Sequence, residues 1–215
     1  MAPIKHHLND ALLMAYSAGT LPEAFNLVVA THISMCDDYR ARMESFDSVG
    51  GVMLGACDSV ALKPDSLDET LAMIMGMPLD RTRPEPKPKG LFPQPLQDYV
   101  GGDLDRIEWK KLGGGVSQYL LDTSRNATVR LLHIPAGKAV PDHGHRGTEL
   151  TLVLQGAFLD GSDRFARGDI EIADEELEHT PVADVGEDCI CLAATDARLR
   201  FNKLIPRIAQ PFIGM

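Results

Sequence analysis

Six of the chain's fourteen prolines fall between Met77 and Pro95, at Pro78, Pro84, Pro86, Pro88, Pro93 and Pro95, interleaved with Arg81, Arg83, Lys87 and Lys89. Proline fixes φ and removes a backbone donor, so this density forbids helix or central strand and predicts a stiff, extended, solvated tether. The segment also separates two kinds of periodicity. The chain is therefore predicted to hold two domains, residues 1–76 and 96–215, joined by a linker over 77–95, in 215 residues overall.

Ahead of the prolines the apolar positions recur at three- and four-residue intervals: Leu12, Leu13 and Tyr16, then Phe25, Val28, Val29 and His32. That spacing predicts helices. Asn9 or Asp10 caps the first, Gly19-Thr20 breaks it, and Pro22 suits the opening turn of a second helix from about Leu21 to Met35. A third begins near Cys36-Asp37. Ser66 and Glu69 form a capping-box pattern, with Ser66 as N-cap, ahead of Leu71, Met73, Ile74 and Met75, which predicts a fourth. Beyond Leu96 the period becomes two, in Thr128–Ile134, Glu149–Leu154 and Cys189–Ala193, with turn residues between. Short strands of this kind build an all-β sandwich or barrel. The expected class is α+β in two domains, a small helical one followed by an all-β one.

No run of about 18 apolar residues is present to span a membrane, and the N-terminus, with Lys5, His6, His7, Asn9 and Asp10, lacks the apolar core of a secretory signal. A cytoplasmic protein is expected. Cys36, Cys57, Cys189 and Cys191 are too few and too scattered for a disulfide framework. Cys189 and Cys191, two apart on a strand, have Cα atoms about 6.6 Å apart with side chains poorly directed for a bridge, and read as buried strand cysteines. The formal net charge of -10 argues against direct nucleic-acid binding and favours basic partners.

Chemistry concentrates between Gly137 and Gly156, where His143, His145 and Glu149 stand at metal-ligand spacing. Two histidines two apart leave the same face of a strand, Glu149 can reach the same point, and His179 completes a set of three imidazoles and a carboxylate. Such ligands suit zinc, manganese, iron or nickel. The run Gly137-x5-His143-x-His145-x3-Glu149-x6-Gly156 resembles the first motif of the cupin superfamily, and Gly168-Asp169 with His179 resembles its looser second motif. The resemblance implies a jelly-roll barrel. In the helical half, His32 and Cys36 are four apart and share a helical face that can hold a metal, with His7 or its neighbour His6 upstream as a third donor.

That helical half resembles the zinc-binding anti-sigma domain, marked by a His-x3-Cys-x2-Cys run after an upstream histidine. Taken whole, the chain resembles the ChrR family of anti-sigma factors. Further stretches carry the likeness: Asp10–Leu13, Pro141–Gly147, Glu149–Phe158 and Asp169–Asp174. The resemblance implies zinc at His7, His32 and Cys36 and a metal at His143, His145, Glu149 and His179, these last sensory and not catalytic. It also implies an extracytoplasmic-function sigma factor as partner, sequestered by the helical domain and released under singlet-oxygen-type oxidative stress. One position departs: Tyr39 stands where the family has its second cysteine, and a phenol with a pKa of about 10 is a poor zinc ligand. Asp37, Asp38 and Cys57 are alternative donors, and a fold without this zinc is the other outcome. A homo-oligomer through the cupin stays open. The rival class is a metal-dependent cupin enzyme, a dioxygenase or isomerase, with Arg130, His133 and Arg146 facing substrate; a metal buffer ranks behind both.

Overall fold

The computed structural model describes residues 3–77, 90–124, 126–140, 143–144, 146–175, 178–197 and 200–201. Helix α1 (Asp10–Ser17) is opened by Asn9, whose side-chain oxygen accepts from the Leu12 N–H at 2.9 Å. Pro22 stands at the N-cap of α2 (Glu23–Met35), so this helix begins two residues later than Leu21. The one extended residue Cys36 separates α2 from α3 (Asp37–Gly55). In α4 (Ser66–Gly76) the expected capping box is absent: Asp65 is the N-cap and makes no side-chain cap bond. Ser66 is thus the first helical residue, and Glu69 falls one position too late to reach back.

A further helix, α5 (Gln94–Val100), stands where the sequence predicted the end of the tether and the start of strand structure. Gln94 and Pro95 open it. A proline in the first turn loses no hydrogen bond, because that N–H has no helical acceptor. Residues 78–89, the centre of the expected tether, lie outside the described residues.

Twelve strands follow among the described residues. β1 (Lys110–Gly113), β2 (Val116–Leu121), β3 (Thr128–Ile134), β5 (Glu149–Gln155), β8 (Ile170–Ala173) and β11 (Cys189–Thr195) form an antiparallel six-stranded sheet, ordered β1-β2-β3-β11-β5-β8. β6 (Ala157–Asp160), β7 (Asp163–Ala166) and β10 (Val182–Ala183) make a second sheet, and β4 (His143–Gly144), β9 (Glu178–His179) and β12 (Arg200–Phe201) a third. Gly156 makes the sharp β5–β6 connection with φ of 66°, and a Cβ there would come within 2.6 Å of the Asp188 carbonyl. Only glycine fits. The closing glycine of the metal motif is therefore a backbone requirement.

The central strands β5 and β11 of the large sheet are buried on both faces. One face, with Leu131, Leu150, Leu152 and Leu192, packs with Leu13, Phe25, Val28 and Val29 of α1 and α2 in one apolar cluster. The other, with Val153, Cys189 and Cys191, packs with Phe158 and Phe165 inside the barrel. This double cover explains why every residue of β11 is buried: a strand wetted on one side would alternate. It also explains α2, whose buried positions run nearly all round the helix, from Ala24 to Ile33. The helical and β halves thus meet along α2.

The C-terminal half of α3 and all of α4 behave differently. Neither helix has a fully buried residue. Between Val49 and Met77, twelve large apolar side chains are exposed, among them Val52, Leu54, Leu67, Leu71 and Ile74. Single exposed apolar residues are ordinary, but a run of twelve, nine of them on two consecutive helices, marks an interaction surface.

Candidate metal centres

The end of α2 and the segment before α1 bring His7, His32 and Cys36 together, each offering one donor atom within 4.8 Å of the others. Cys36 Sγ lies 3.9 Å from His7 Nδ1. His6, the alternative, turns away and packs its ring on Phe165 at 4.3 Å. His32 is wholly buried and its Nδ1 lies 3.0 Å from the Gly168 carbonyl. A carbonyl only accepts, so Nδ1 carries the hydrogen and Nε2 keeps its lone pair. That Nε2 is buried and has no hydrogen-bond partner among the described residues. Burial first, then the nearby His7, push the His32 pKa down to about 4, which keeps the ring neutral at physiological pH.

An orphaned, neutral imidazole nitrogen beside a second imidazole and a thiol is the donor set of a zinc-type site, and the three residues fit such an ion. The fourth side is occupied differently. Tyr39 stacks its ring on His7, 4.1 Å away and 3° from parallel, and meets His32 edge-on at 5.7 Å. It walls the site with an aromatic face. Cys57 is exposed at the end of α3 with its thiol on the Met53 carbonyl, and Asp37 pairs with Arg40.

In the barrel, β4 and β9 set His143 and His179 directly opposite each other in register. His145 lies outside the described residues. Glu149 opens β5 and accepts a hydrogen bond from the Thr151 hydroxyl at 3.1 Å. The structure gathers a further pair around His179. Its Nδ1 lies 2.9 Å from Asp160 Oδ2 and 3.8 Å from Glu171 Oε2, and the three form a second group of metal-competent donors. Burial, then the Asp160 charge, push Glu171 up to about 8, so it is protonated near neutrality. An Asp160 carboxylate accepting from Nδ1–H aims His179 Nε2 the other way, the usual outer-shell arrangement for a metal-binding histidine.

Sequence reasoning missed Asp160 and Glu171. The signal for Glu171 was a lone carboxylate in the apolar strand Ile170–Ala173, which is unstable in a core without a partner. Asp160 carried no signal beyond its place at a hairpin. Of the residues assigned to a substrate in the enzyme reading, Arg130 is buried on Gln118 at 3.1 Å, and His133 pairs with Asp188 at 2.9 Å. Cys189 and Cys191 are free and buried, with sulfurs 3.4 Å apart. Contact with Cys189, then burial, hold the Cys191 thiol well above its ordinary range.

Comparison with known proteins agrees with this architecture. Residues 97–198 match the family model of the ChrR cupin-like domain. The chain is 58% identical over 209 residues, 97% of its length, to the anti-sigma-E factor ChrR of Cereibacter sphaeroides, covering 98% of that protein. It also superposes, with a TM-score of 0.81 and 58% identity, on a chain in the crystal structure of Rhodobacter sphaeroides SigE in complex with the anti-sigma ChrR. That match covers 90% of this chain and all of the other.

Proposed function

This chain belongs to the ChrR family of anti-sigma factors, and on that premise we propose that it holds an extracytoplasmic-function sigma factor inactive through its helical half. The observation that carries the reading is the run of twelve exposed apolar side chains between Val49 and Met77, nine of them on the second half of α3 and on α4. A face of that kind is costly in water and suits an amphipathic partner surface. The net charge of -10 complements a basic partner and speeds encounter with it. The enzyme reading is not carried forward, since a relative 58% identical is an anti-sigma factor.

In this reading residues 1–76 form the sigma-binding unit, 77–95 the tether and 96–215 the sensory cupin. The zinc ligands are His7, His32 and Cys36 in the first unit, and His143, His145, Glu149 and His179 hold a metal in the second. No described helix is long and apolar enough to cross a membrane, and the site of action is the cytoplasm, where sigma factors meet RNA polymerase. The signal is an oxidant of the singlet-oxygen type acting at the cupin. Release then requires that the altered cupin favour a state in which the helical half binds sigma less tightly.

The test is to co-express the chain with an extracytoplasmic-function sigma factor, purify it, and count metal per chain in wild type and in His143→Ala/His145→Ala. A one-to-one complex with two zinc ions, falling to one in the double variant, supports both halves of the proposal. A complex with a single metal that the variant loses removes the N-terminal zinc. No complex removes the function.

A further inference from the structure

The N-terminal donors His7 and His32 are not held in place by the helical half alone. The segment Gly168–Ile170, at the start of β8, contacts His32 directly and His7 through the two residues before it. The Gly168 carbonyl receives the His32 Nδ1–H at 3.0 Å. Asp169, almost fully buried, accepts from the backbone N–H of Lys5 at 2.6 Å and of His6 at 3.0 Å through Oδ1, while Oδ2 accepts from the Ala166 N–H at 2.8 Å. The Ile170 N–H donates to the His6 carbonyl at 3.1 Å, adding the N-terminal arm to the edge of β8. His7 is the next residue on that arm.

Gly168 is itself a constrained position. Its φ is 92°, and a Cβ there would meet Ile4 Cδ1 at 2.7 Å and Met35 Cε at 3.6 Å. The positive φ and the close approach of the N-terminal arm at Ile4 therefore favour glycine at this turn. Asp169 then pins the arm and the turn with one carboxylate, whose acceptance of three N–H donors holds it below its ordinary range against its own burial.

We infer that Asp169 and the Gly168 carbonyl are the outer shell of the N-terminal metal site, so that the barrel sets the ligand orientation and metal affinity of His7 and His32. The inference rests on the metal reading proposed above and deepens it. Outer-shell partners fix the tautomer and angle of a ligating histidine, and their loss typically costs 10- to 100-fold in metal affinity. Here that partner belongs to the other half of the molecule. The same strand continues to Glu171, which touches His179, so the two candidate centres are separated by one short stretch of backbone.

The experiment uses the full chain in a Cys57→Ser background, which removes the exposed thiol, titrated with cobalt(II). The thiolate-to-cobalt charge-transfer absorption reports Cys36, because the cupin ligands are imidazole and carboxylate. Asp169→Ala is expected to weaken cobalt binding in that band by about 10- to 100-fold, and Asp169→Asn, which keeps an acceptor for Lys5 and His6, to recover most of the loss. Nitrogen-15 shifts of His32 in the metal-free wild type give a second readout, independent of whether Asp169→Ala folds: Nδ1 protonated and Nε2 bare. Wild-type affinity in Asp169→Ala, or a proton found on Nε2, overturns the inference alone. Absence of the thiolate band in wild type overturns the metal reading and this inference together.

Discussion

Replacing Leu71 and Ile74 with glutamine should cripple sigma binding while leaving the fold intact. Both lie on α4, three residues apart and so on one face, and are 45% and 59% exposed. Complete burial of such a side chain is worth about 1.5–3 kcal/mol. With roughly half of each still in water, each residue has about 0.8–1.5 kcal/mol left to contribute when a partner covers it. The pair therefore accounts for about 1.5–3 kcal/mol, a rise in Kd of roughly 10- to 150-fold. Stability should move little, by about 0.5 kcal/mol or less per site, because neither side chain fills a core and glutamine is a good helix former. Calorimetric titration with the sigma factor and thermal unfolding of the free chain measure the two effects. A Kd within threefold of wild type would refute the assignment of this face, and a large fall in Tm would show that α4 is packed within the molecule.

Other consequences concern the buried groups. The pKa of His32 falls from 6.5 to about 4 on folding, so the folded state resists a proton that the unfolded state accepts. In metal-free protein this stability is complete above pH 6.5 and is lost as pH falls toward 4, by about 3 kcal/mol at 1.36 kcal/mol per unit; denaturant unfolding across that range should show it, and His32→Gln should not. Asp160→Ala removes the acceptor at His179 Nδ1 and should weaken metal binding in the barrel by about 10- to 100-fold, read by competition with a chelator; unchanged affinity would detach Asp160 from the site. Leu96 is fully buried in α5, and Leu96→Ala should cost about 2–5 kcal/mol. A cost below 1 kcal/mol in the same assay would show that α5 does not share the core.

Legibility in the sequence followed the range of the forces involved. Helices α1 to α4 and the strands β3, β5 and β11 announced themselves through local periodicity. The glycine spacing of the motif was visible in sequence, and the structure gives its reason at Gly156, which has a positive φ. What local pattern could not show was contact between the halves. A proline-dense segment reads as separation, yet the cover over β5 and β11 is supplied by α2, far away in sequence. The trace of it was present in the unbroken apolar run Cys189–Ala194, since a strand with one wet face would alternate. Helix α5 was hidden because Pro93 and Pro95 look like breakers until one of them is placed in a first turn. In the candidate centres, residues near in sequence were visible as pairs, such as His32 with Cys36. Partners brought in by topology, such as Gly168 on His32 or Asp160 and Glu171 on His179, carry no spacing relation to what they touch.

The central claim is that this chain sequesters a sigma factor, and competition tests it most directly. The purified chain should form a one-to-one complex with an extracytoplasmic-function sigma factor and, at equal concentration, prevent that factor from joining core RNA polymerase and starting transcription. Undiminished transcription in the presence of excess folded chain, with no complex on size exclusion, would contradict the account.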